Sequence, residues 1–417
     1  MPDPGGDSFL AALVAPVPVD EFLTNYWLKQ HLYCRGASDR FAHLLSWATL
    51  NEILNHHWRE TYRFRLACQG RDLTVSSYAD LDGFTPRIRA GDVTEHLRRG
   101  ATLSFDAIDE VHEPLLRLAR AFETFFRGGT KINIYAGWRS LHGLDLHRDN
   151  QEIFILHMDG RKRWLLYGDS VDAIDRSTLS SASVPPAGAI LDEVLHPGDL
   201  LYIPRGCYHV ALPMNEPALH LTLGVKNPRG IDIALWLVER LRARAVAGRD
   251  VPFLGSIEER CRYSEEVRRA LSEGLDSDLV EQYFLETGSN LKPRPSFDLP
   301  WSATPEGLPP GDDFLLTLKG HPRMVVNGDD EGCVEVHDGL RQYRFPRGVS
   351  RIIQQLDRGE TLAIDRLIER LAPPIDPATV RMLVGMLARH GLVAITRPHA
   401  IASKTDGGVG FDKPTTP

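Results

Sequence analysis

Residues 143–168, GLDLHRDNQEIFILHMDGRKRWLLYG, decide the fold of this chain. Two ionisable residues, His147 and Asp149, stand one residue apart just before the apolar run IFIL. Because side chains alternate between the two faces of a strand, His147 and Asp149 should point to the same side. If that side is the interior, both must be paired or bound to a ligand, since an uncompensated buried charge is very costly.

A second stretch, HPGDLLYIPRGCYHV, contains Gly198, Pro204, Gly206 and His209 in the pattern G-x5-P-x-G-x2-H. The glycines and the proline predict a turn that carries His209 from the strand LLYIP into the next strand. Two imidazoles and one carboxylate on one side of a metal suit an open iron(II) site, which leaves positions for a cosubstrate and dioxygen. Together with the earlier His-x-Asp pair, His209 therefore predicts a metal site.

Four neighbouring residues are weaker candidates for the metal. Glu152 is off parity with the His-x-Asp pair on a regular strand, so it should point elsewhere. His157 shares the parity but lies roughly 26 Å along an extended strand at about 3.3 Å per residue, and we interpret it as a histidine of the barrel lining or core. His142 is interpreted as a loop residue, and His220 is a further alternative. Taken alone, the His-x-Asp pair could also be a strand cap and a turn residue.

From about Lys131 the sequence turns to short β-rich runs, namely KINIYAGW, EIFILHM, RWLLYG, GDLLYIP and LHLTLGV. Glycine, proline and aspartate turns separate them. This pattern is typical of an all-β barrel or sandwich.

These motifs carry a family resemblance. Residues 131–228 resemble a Jumonji-C (JmjC) cupin domain of the ribosomal-oxygenase branch, through NIY, EIFILHMDGRKRW and PGDLLYIPRG. The early FLTNYWLKQHLYCRG resembles the N-terminal segment of that branch. The resemblance implies an α+β protein with a double-stranded β-helix (cupin or jelly-roll) JmjC domain, followed by a helical dimerisation region and a C-terminal winged-helix domain.

The resemblance also implies an Fe(II)- and 2-oxoglutarate-dependent oxygenase that uses O2 to hydroxylate an amino-acid side chain of a protein or peptide. It implies that His147, Asp149 and His209 hold the iron. Residues 148, 150 and 151 differ from those usual around the motif. The substrate therefore stays open between a ribosomal protein and a modified peptide natural product.

A 2-oxoglutarate enzyme needs a cation for the distal carboxylate of its cosubstrate. The triplet Arg161-Lys162-Arg163 begins the strand after Gly160. Alternation turns Lys162 away from its two arginine neighbours. A basic triplet is more often a solvated turn, but the resemblance places the cosubstrate cation at Lys162.

Three further residues are predicted to support the cosubstrate. Asn133 and Tyr135 share parity on the run KINIYAG, and the resemblance implies that they act through hydrogen bonds. Thr222 in LHLTLGV is a weaker candidate of the same kind. For Tyr135, packing in the core is an equally good interpretation.

The chain is predicted to divide into a JmjC cupin domain with an N-terminal helical segment (1–228), a helical dimerisation region (229–295), a winged-helix-like domain (296–400) and a disordered tail (401–417). Helical spacing of apolar residues after Pro228 and the behaviour of the resembled branch predict a homodimer. Near the C-terminus, Asp376 as N-cap, Pro377 at the first helical position and Gly391 just past the end bound one helix. LVAIT then reads as a strand.

Composition narrows the class of protein. A formal net charge of −8 makes a nucleic-acid partner unlikely and is compatible with a basic protein or peptide. The five cysteines form no CxxC pair, which argues against a zinc ribbon or a disulfide scaffold and predicts a cytoplasmic location. No run of about 18 apolar residues occurs, so we expect no membrane span.

Two other functions stay open. A cupin metalloenzyme or an oxygenase acting on a small molecule or peptide natural product would keep the barrel; a cupin with chemistry other than 2-oxoglutarate oxidation would not need Lys162. A non-catalytic module could instead sense a ligand in the barrel and bind DNA through PATVRMLVGMLARHG. That helix offers only Arg381, Arg389 and His390 as cations, which favours packing over reading of the major groove.

Overall fold

The computed structural model of the 417-residue chain describes residues 6–81, 85–168, 188–242, 244–272, 278–287, 299–319, 323–325, 332–338, 341–356 and 361–397. The tail predicted to be disordered, 401–417, lies outside the described residues. The chain divides into two compact units, 1–294 and 295–417.

The strands of the first unit are β1 (Leu32–Cys34), β2 (Phe64–Cys68), β3 (Arg71–Asp72), β4 (Ala79–Asp80), β5 (Arg87–Ile88), β6 (Thr102–Phe105), β7 (Gly129–Gly137), β8 (Glu152–Asp159), β9 (Lys162–Tyr167), β10 (Ala189–Leu195), β11 (Leu200–Ile203), β12 (Tyr208–Pro213) and β13 (Ala218–Lys226). Its α-helices are α1 (Gly6–Val14), α2 (Val19–Glu21), α3 (Trp47–His56), α4 (Ala90–Arg98), α5 (Glu113–Phe126), α6 (Gly230–Leu241), α7 (Ile257–Ser272) and α8 (Leu279–Thr287). A π-helical turn, Phe22–Tyr26, follows α2.

Two antiparallel sheets form the barrel. The larger has the order β1-β11-β8-β13-β7-β6-β2-β3, and the smaller has the order β10-β9-β12. The five runs predicted as strands are confirmed as β7, β8, β9, β11 and β13. The N-terminal segment, predicted to be helical, also supplies β1, β2, β3 and β6 to the larger sheet, so that prediction was incomplete.

The larger sheet buries both of its faces. On β8, Phe154 and Leu156 pack in the main core with helices α1, α3 and α5. Ile153 and Ile155 point the other way and pack against Trp164 and other residues of the smaller sheet. Burial on both faces explains why this strand reads as a continuous apolar run rather than as an alternating one. It also leaves the space between the sheets as the place where a polar site must be enclosed.

Helices α6 to α8 follow the barrel, as the helical spacing predicted. In the part of the chain that the structure describes, no helix is long and apolar enough to cross a membrane.

The second unit contains β14 (Leu315–Leu318), β15 (Arg323–Val325), β16 (Cys333–Asp338), β17 (Arg341–Pro346), α9 (Gly348–Leu356), β18 (Leu362–Ala363), α10 (Ile364–Arg370), α11 (Pro377–Arg389) and β19 (Val393–Thr396). Its sheets have the orders β18-β14-β19 and β15-β16-β17. The predicted bounds of α11 are confirmed: the Asp376 side chain accepts from the Thr379 backbone N–H, and Gly391 has φ +75°. The winged-helix assignment of this unit stays a prediction.

Candidate active site

The His-x-Asp pair lies just before β8 and not on it, which corrects the prediction that the pair begins the strand. His147 forms an isolated antiparallel bridge with His209 of β12. The backbone N–H of each donates to the carbonyl of the other, at 3.1 Å from His147 and 2.8 Å from His209. This double hydrogen bond ties the segment that precedes β8 to the small sheet. It therefore brings the two sequence motifs together.

The side chains of His147, Asp149 and His209 converge. The His209 Nε2 lies 3.7 Å and the His147 Nε2 4.0 Å from the Asp149 Oδ2. One nitrogen or oxygen atom from each residue lies within 4.8 Å of the others, a separation at which all three could hold one metal ion. The set is two imidazoles and one carboxylate, and all three residues line one pocket.

Backbone carbonyls fix both imidazoles in one tautomer. The His147 Nδ1–H donates to the Asp145 carbonyl at 2.7 Å, and the His209 Nδ1–H donates to the Cys207 carbonyl at 3.1 Å. A carbonyl can only accept, so Nδ1 carries the proton and each Nε2 offers a lone pair. Such outer hydrogen bonds are typical of metal-binding histidines.

Burial keeps His209 neutral. Desolvation, together with the neighbouring His147, lowers the pKa of His209 to about 4. A neutral imidazole is the form that binds a metal.

The backbone conformation of the turn explains the glycines in the pattern G-x5-P-x-G-x2-H. Gly198 and Gly206 have φ +88° and +86°, a region that residues with a Cβ rarely adopt. At Gly198 a Cβ would also collide with the Ala37 carbonyl oxygen. The Gly206 N–H donates to the Asp149 carbonyl at 2.9 Å. The turn thus positions the backbone of Asp149 as well as delivering His209.

Lys162 points inward and its two arginine neighbours point outward, as alternation predicted. Arg161 pairs with Glu216 at 2.9 Å and Arg163 pairs with Asp192 at 2.6 Å, both at the surface. Lys162 is 4% exposed, and its Nζ lies 3.5 Å from the His220 Nδ1. Burial lowers the pKa of Lys162 to about 7. Among the described residues it has no carboxylate partner.

The histidines, Asp149 and Lys162 share one pocket of about 490 Å³, counting its open mouth. Its other lining residues include Thr102, Tyr135, Leu144, Ile153, Ile155, Trp164, Ala211, His220 and Thr222. The pocket thus combines an apolar wall with polar side chains, a three-ligand set and one buried cation.

A comparison with known protein families covers the part of the chain that contains this cavity. The JmjC domain family matches residues 109–233, which span β7 to β13 and include His147, Asp149, Lys162 and His209. This part of the chain is similar to a JmjC domain.

Curated relatives match about half of this chain. The chain is 28% identical over 220 residues to the bifunctional lysine-specific demethylase and histidyl-hydroxylase NO66 of Drosophila persimilis, an alignment that covers 52% of this chain and 31% of that protein. It is 29% identical over 230 residues to ribosomal oxygenase 2 of Rattus norvegicus, covering 52% and 47%. The aligned part thus spans less than half the length of these relatives.

The fold is also that of a solved protein. The Escherichia coli ribosomal oxygenase YcfD superposes with a TM-score of 0.57 at 19% identity, covering 91% of this chain and 98% of that one. A further structure of YcfD holds cobalt and 2-oxoglutarate, with a TM-score of 0.57 at 19% identity and the same coverage. The JmjC cupin fold predicted from the motifs is therefore confirmed.

The three residues predicted to support the cosubstrate lie in different places relative to the pocket. Tyr135 and Thr222 line it, and Tyr135 stacks on His220 with ring centroids 5.3 Å apart. Burial and nearby acidic groups raise the pKa of Tyr135 to about 12. Asn133 is not among the lining residues, and its Oδ1 accepts from the Ala107 N–H at 3.0 Å. Asn133 also forms a side-chain hydrogen bond with Tyr135, so it contacts a residue of the pocket wall without lining the pocket.

Three of the four weaker metal candidates lie apart from the three-residue cluster, whereas His220 lines the same pocket. Glu152 points into the main core, where the Tyr202 hydroxyl donates to it at 2.5 Å. His157 is buried and its Nε2–H donates to the Gly160 carbonyl at 3.0 Å. His142 pairs with Asp145 at 2.8 Å.

Sequence reasoning missed the place of His220 and Trp164 in the pocket. His220 shares parity with Thr222 on β13, and Trp164 shares parity with Lys162 on β9. Alternation from residues already chosen could therefore have found both.

Proposed function

We propose that this chain is an Fe(II)- and 2-oxoglutarate-dependent oxygenase that hydroxylates an amino-acid side chain of a protein or peptide. The observation that carries this proposal is Lys162, a buried cation without an ion-pair partner among the described residues, in the same pocket as His147, Asp149 and His209. Burying an unpaired cation is costly, and an anionic ligand would offset the cost. A cupin with other metal chemistry does not require such a cation.

The donor set fits iron(II). Two neutral imidazoles with free Nε2 lone pairs and one carboxylate match the ligands of non-haem iron oxygenases. Bound iron would supply dioxygen activation, with 2-oxoglutarate as the source of the further electrons. YcfD, whose structure holds cobalt and 2-oxoglutarate, gives independent support for this pair of ligands.

The protein's own side chains would bind and orient the metal and the cosubstrate. His147 and His209, fixed by backbone carbonyls, would hold the metal with Asp149. Lys162 would hold the distal carboxylate of the cosubstrate as a compact charge. Tyr135 and Thr222 would add hydrogen bonds along the pocket wall.

The apolar wall has a separate part in the reaction. Ile153, Ile155 and Trp164 are nearly fully buried and line the cavity. They would keep water from the reacting atoms. Exclusion of water also strengthens the attraction between Lys162 and a carboxylate, because the local dielectric is low.

We propose a protein substrate, with ribosomal proteins as the first to test. Two relatives support this class: one is named a histidyl-hydroxylase and demethylase, and another a ribosomal oxygenase. The test incubates the Fe(II)-loaded protein with 2-oxoglutarate, O2 and ribosomes of its source, and measures succinate and the masses of ribosomal proteins. Hydroxylation adds one oxygen atom to a side chain, whereas demethylation removes a methyl group and releases formaldehyde.

An Asp149→Ala variant is the matched control. Succinate formation and added oxygen that both require Asp149 would support the hydroxylase. Formaldehyde with a lighter product would replace hydroxylation by demethylation. Absence of succinate with every substrate would favour a cupin with other chemistry.

We also propose a homodimer through the helices after the barrel. On α6, Ile231, Leu235 and Val238 recur at helical spacing and are 53%, 56% and 51% exposed in the single chain. An apolar stripe of this kind is typical of a contact surface.

The rest of the chain is assigned as the sequence suggests: residues 1–228 as the oxygenase domain, 229–295 as the dimerisation region and 296–400 as a winged-helix domain. On α11 of the second unit, Arg381 contacts Asp312, Arg389 contacts the Pro305 carbonyl and His390 contacts the Met386 carbonyl. These contacts within the unit favour packing over DNA binding. None of the five cysteines forms a disulfide, which supports a cytoplasmic location.

A further inference from the structure

His220 is a buried, titratable residue of the pocket that the proposed chemistry has not used. It lies on β13, opposite Tyr135 of β7 on one side and His157 of β8 on the other. Its ring is parallel to that of Tyr135, at 5.3 Å and 12°, and meets Trp164 edge to face, at 5.3 Å and 81°. Only 2% of His220 is exposed. The ring is therefore held in one orientation from two sides.

The atom that His220 presents to Lys162 is Nδ1. The Lys162 Nζ lies 3.5 Å from it, at the outer limit of a hydrogen bond. Other groups near Lys162 include the aromatic face of Trp164, 6.0 Å from Nζ, and the uncharged His157. No carboxylate among the described residues competes for the ammonium. His220 is thus the side chain that directs it.

This contact decides the tautomer of His220. Burial and the nearby Lys162 lower the pKa of His220 well below its ordinary value, so the ring is neutral. When Lys162 is protonated, its ammonium can only donate, so the Nδ1 of His220 then accepts and its Nε2 carries the proton. Across the described residues, Nε2 has no hydrogen-bond partner in the protein. The tautomer is the opposite of that in His147 and His209, which have Nδ1–H.

We propose that His220 is a binding and positioning residue for the cosubstrate: its Nδ1 holds the Lys162 ammonium toward the pocket, and its Nε2–H is a second donor to the distal carboxylate. The inference rests on the proposed function, since it assigns the groups that receive 2-oxoglutarate. A neutral donor beside a cation suits a carboxylate, because both of its oxygens then find a hydrogen while the two protein groups do not repel each other.

Three substitutions at His220 test the roles of its Nδ1 and its Nε2 separately. His220→Phe keeps the ring and its stacking but removes both nitrogens. His220→Asn keeps an amide oxygen near the Nδ1 position, and His220→Gln keeps an amide N–H near the Nε2 position. Lys162→Met is the reference for loss of the charge itself.

The experiment measures the dissociation constants of 2-oxoglutarate and of N-oxalylglycine for Mn(II)-loaded proteins by calorimetry without O2, together with KM and kcat of the Fe(II)-loaded proteins. We expect His220→Phe to bind both ligands about tenfold to a hundredfold more weakly, as for loss of a hydrogen bond to a charged group. The KM for 2-oxoglutarate should rise by the same factor while kcat at saturation changes little. The Asn and Gln variants should each recover part of the affinity.

The outcomes are distinguishable. Parental affinity in His220→Phe, with weak binding in Lys162→Met, would overturn this inference and leave the proposed function intact. Equal loss in the Phe, Asn and Gln variants would also overturn it, because a structural role depends on the ring and not on its two nitrogens. Failure of the parent to bind 2-oxoglutarate would overturn the proposed function and this inference together.

Discussion

Replacement of Lys162 by methionine should stabilise the protein while removing its affinity for 2-oxoglutarate. The side chain is 4% exposed and has no carboxylate partner among the described residues, so the folded protein carries the cost of a buried charge. Methionine has a similar length and no charge, and it fits apolar surroundings such as Trp164. Binding and stability should therefore change in opposite directions at one residue.

The size of the effect follows from the pKa of Lys162, which burial lowers from 10.5 to about 7. At about 1.36 kcal/mol per pKa unit, the charge costs the folded state on the order of 4 kcal/mol at pH 7. Between about pH 7 and 10.5 the unfolded chain binds a proton that the folded protein has lost, so the stability of the parent rises with pH there. The advantage of Lys162→Met is therefore largest below pH 7 and is lost as pH rises through this window.

The assay is thermal and urea unfolding of the parent and the variant across this pH window, with and without Mn(II) plus 2-oxoglutarate. We expect a gain of about 1–4 kcal/mol for the variant near neutral pH, and ligand stabilisation in the parent alone. Arg163→Met is the matched control: Arg163 is exposed and paired with Asp192, so its loss should change stability by about 1 kcal/mol or less. A Lys162→Met variant less stable than its parent at pH 7 would refute the reasoning.

Three further predictions concern other parts of the chain. Asp149→Ala should remove iron retention and turnover, which metal analysis and succinate formation check; iron binding as tight as in the parent would contradict the ligand assignment. Tyr202→Phe should cost about 1–3 kcal/mol, since it leaves the buried Glu152 carboxylate and the Leu28 N–H without their hydroxyl partner; an unchanged urea midpoint would exclude that role. Leu235→Glu should turn the expected dimer into a monomer by sedimentation, and a parent that is itself monomeric at micromolar concentration would end the dimer proposal.

Much of the candidate site was predictable from the sequence, because its signals are local. The spacing of His147 and Asp149, and the glycines that bring the chain to His209, depend on backbone geometry over a few residues. Alternation along β9 was enough to separate the inward Lys162 from its outward neighbours. The cap of α11 was equally local, since Asp376 bonds to a backbone N–H three residues away.

Tertiary structure decided what depends on pairing between distant strands. The sequence placed His147 on a regular strand, whereas its hydrogen bonds are to His209 of the other sheet. Likewise, His220 reaches Lys162 only because β13 lies beside β8 and faces β9 across the barrel. Strands β2 and β6 join the large sheet although their surroundings read as helical. Local patterns specify which face of a strand a side chain takes. The register and the neighbours of a strand are set by long-range packing. That packing is what brings His220 to the buried Lys162.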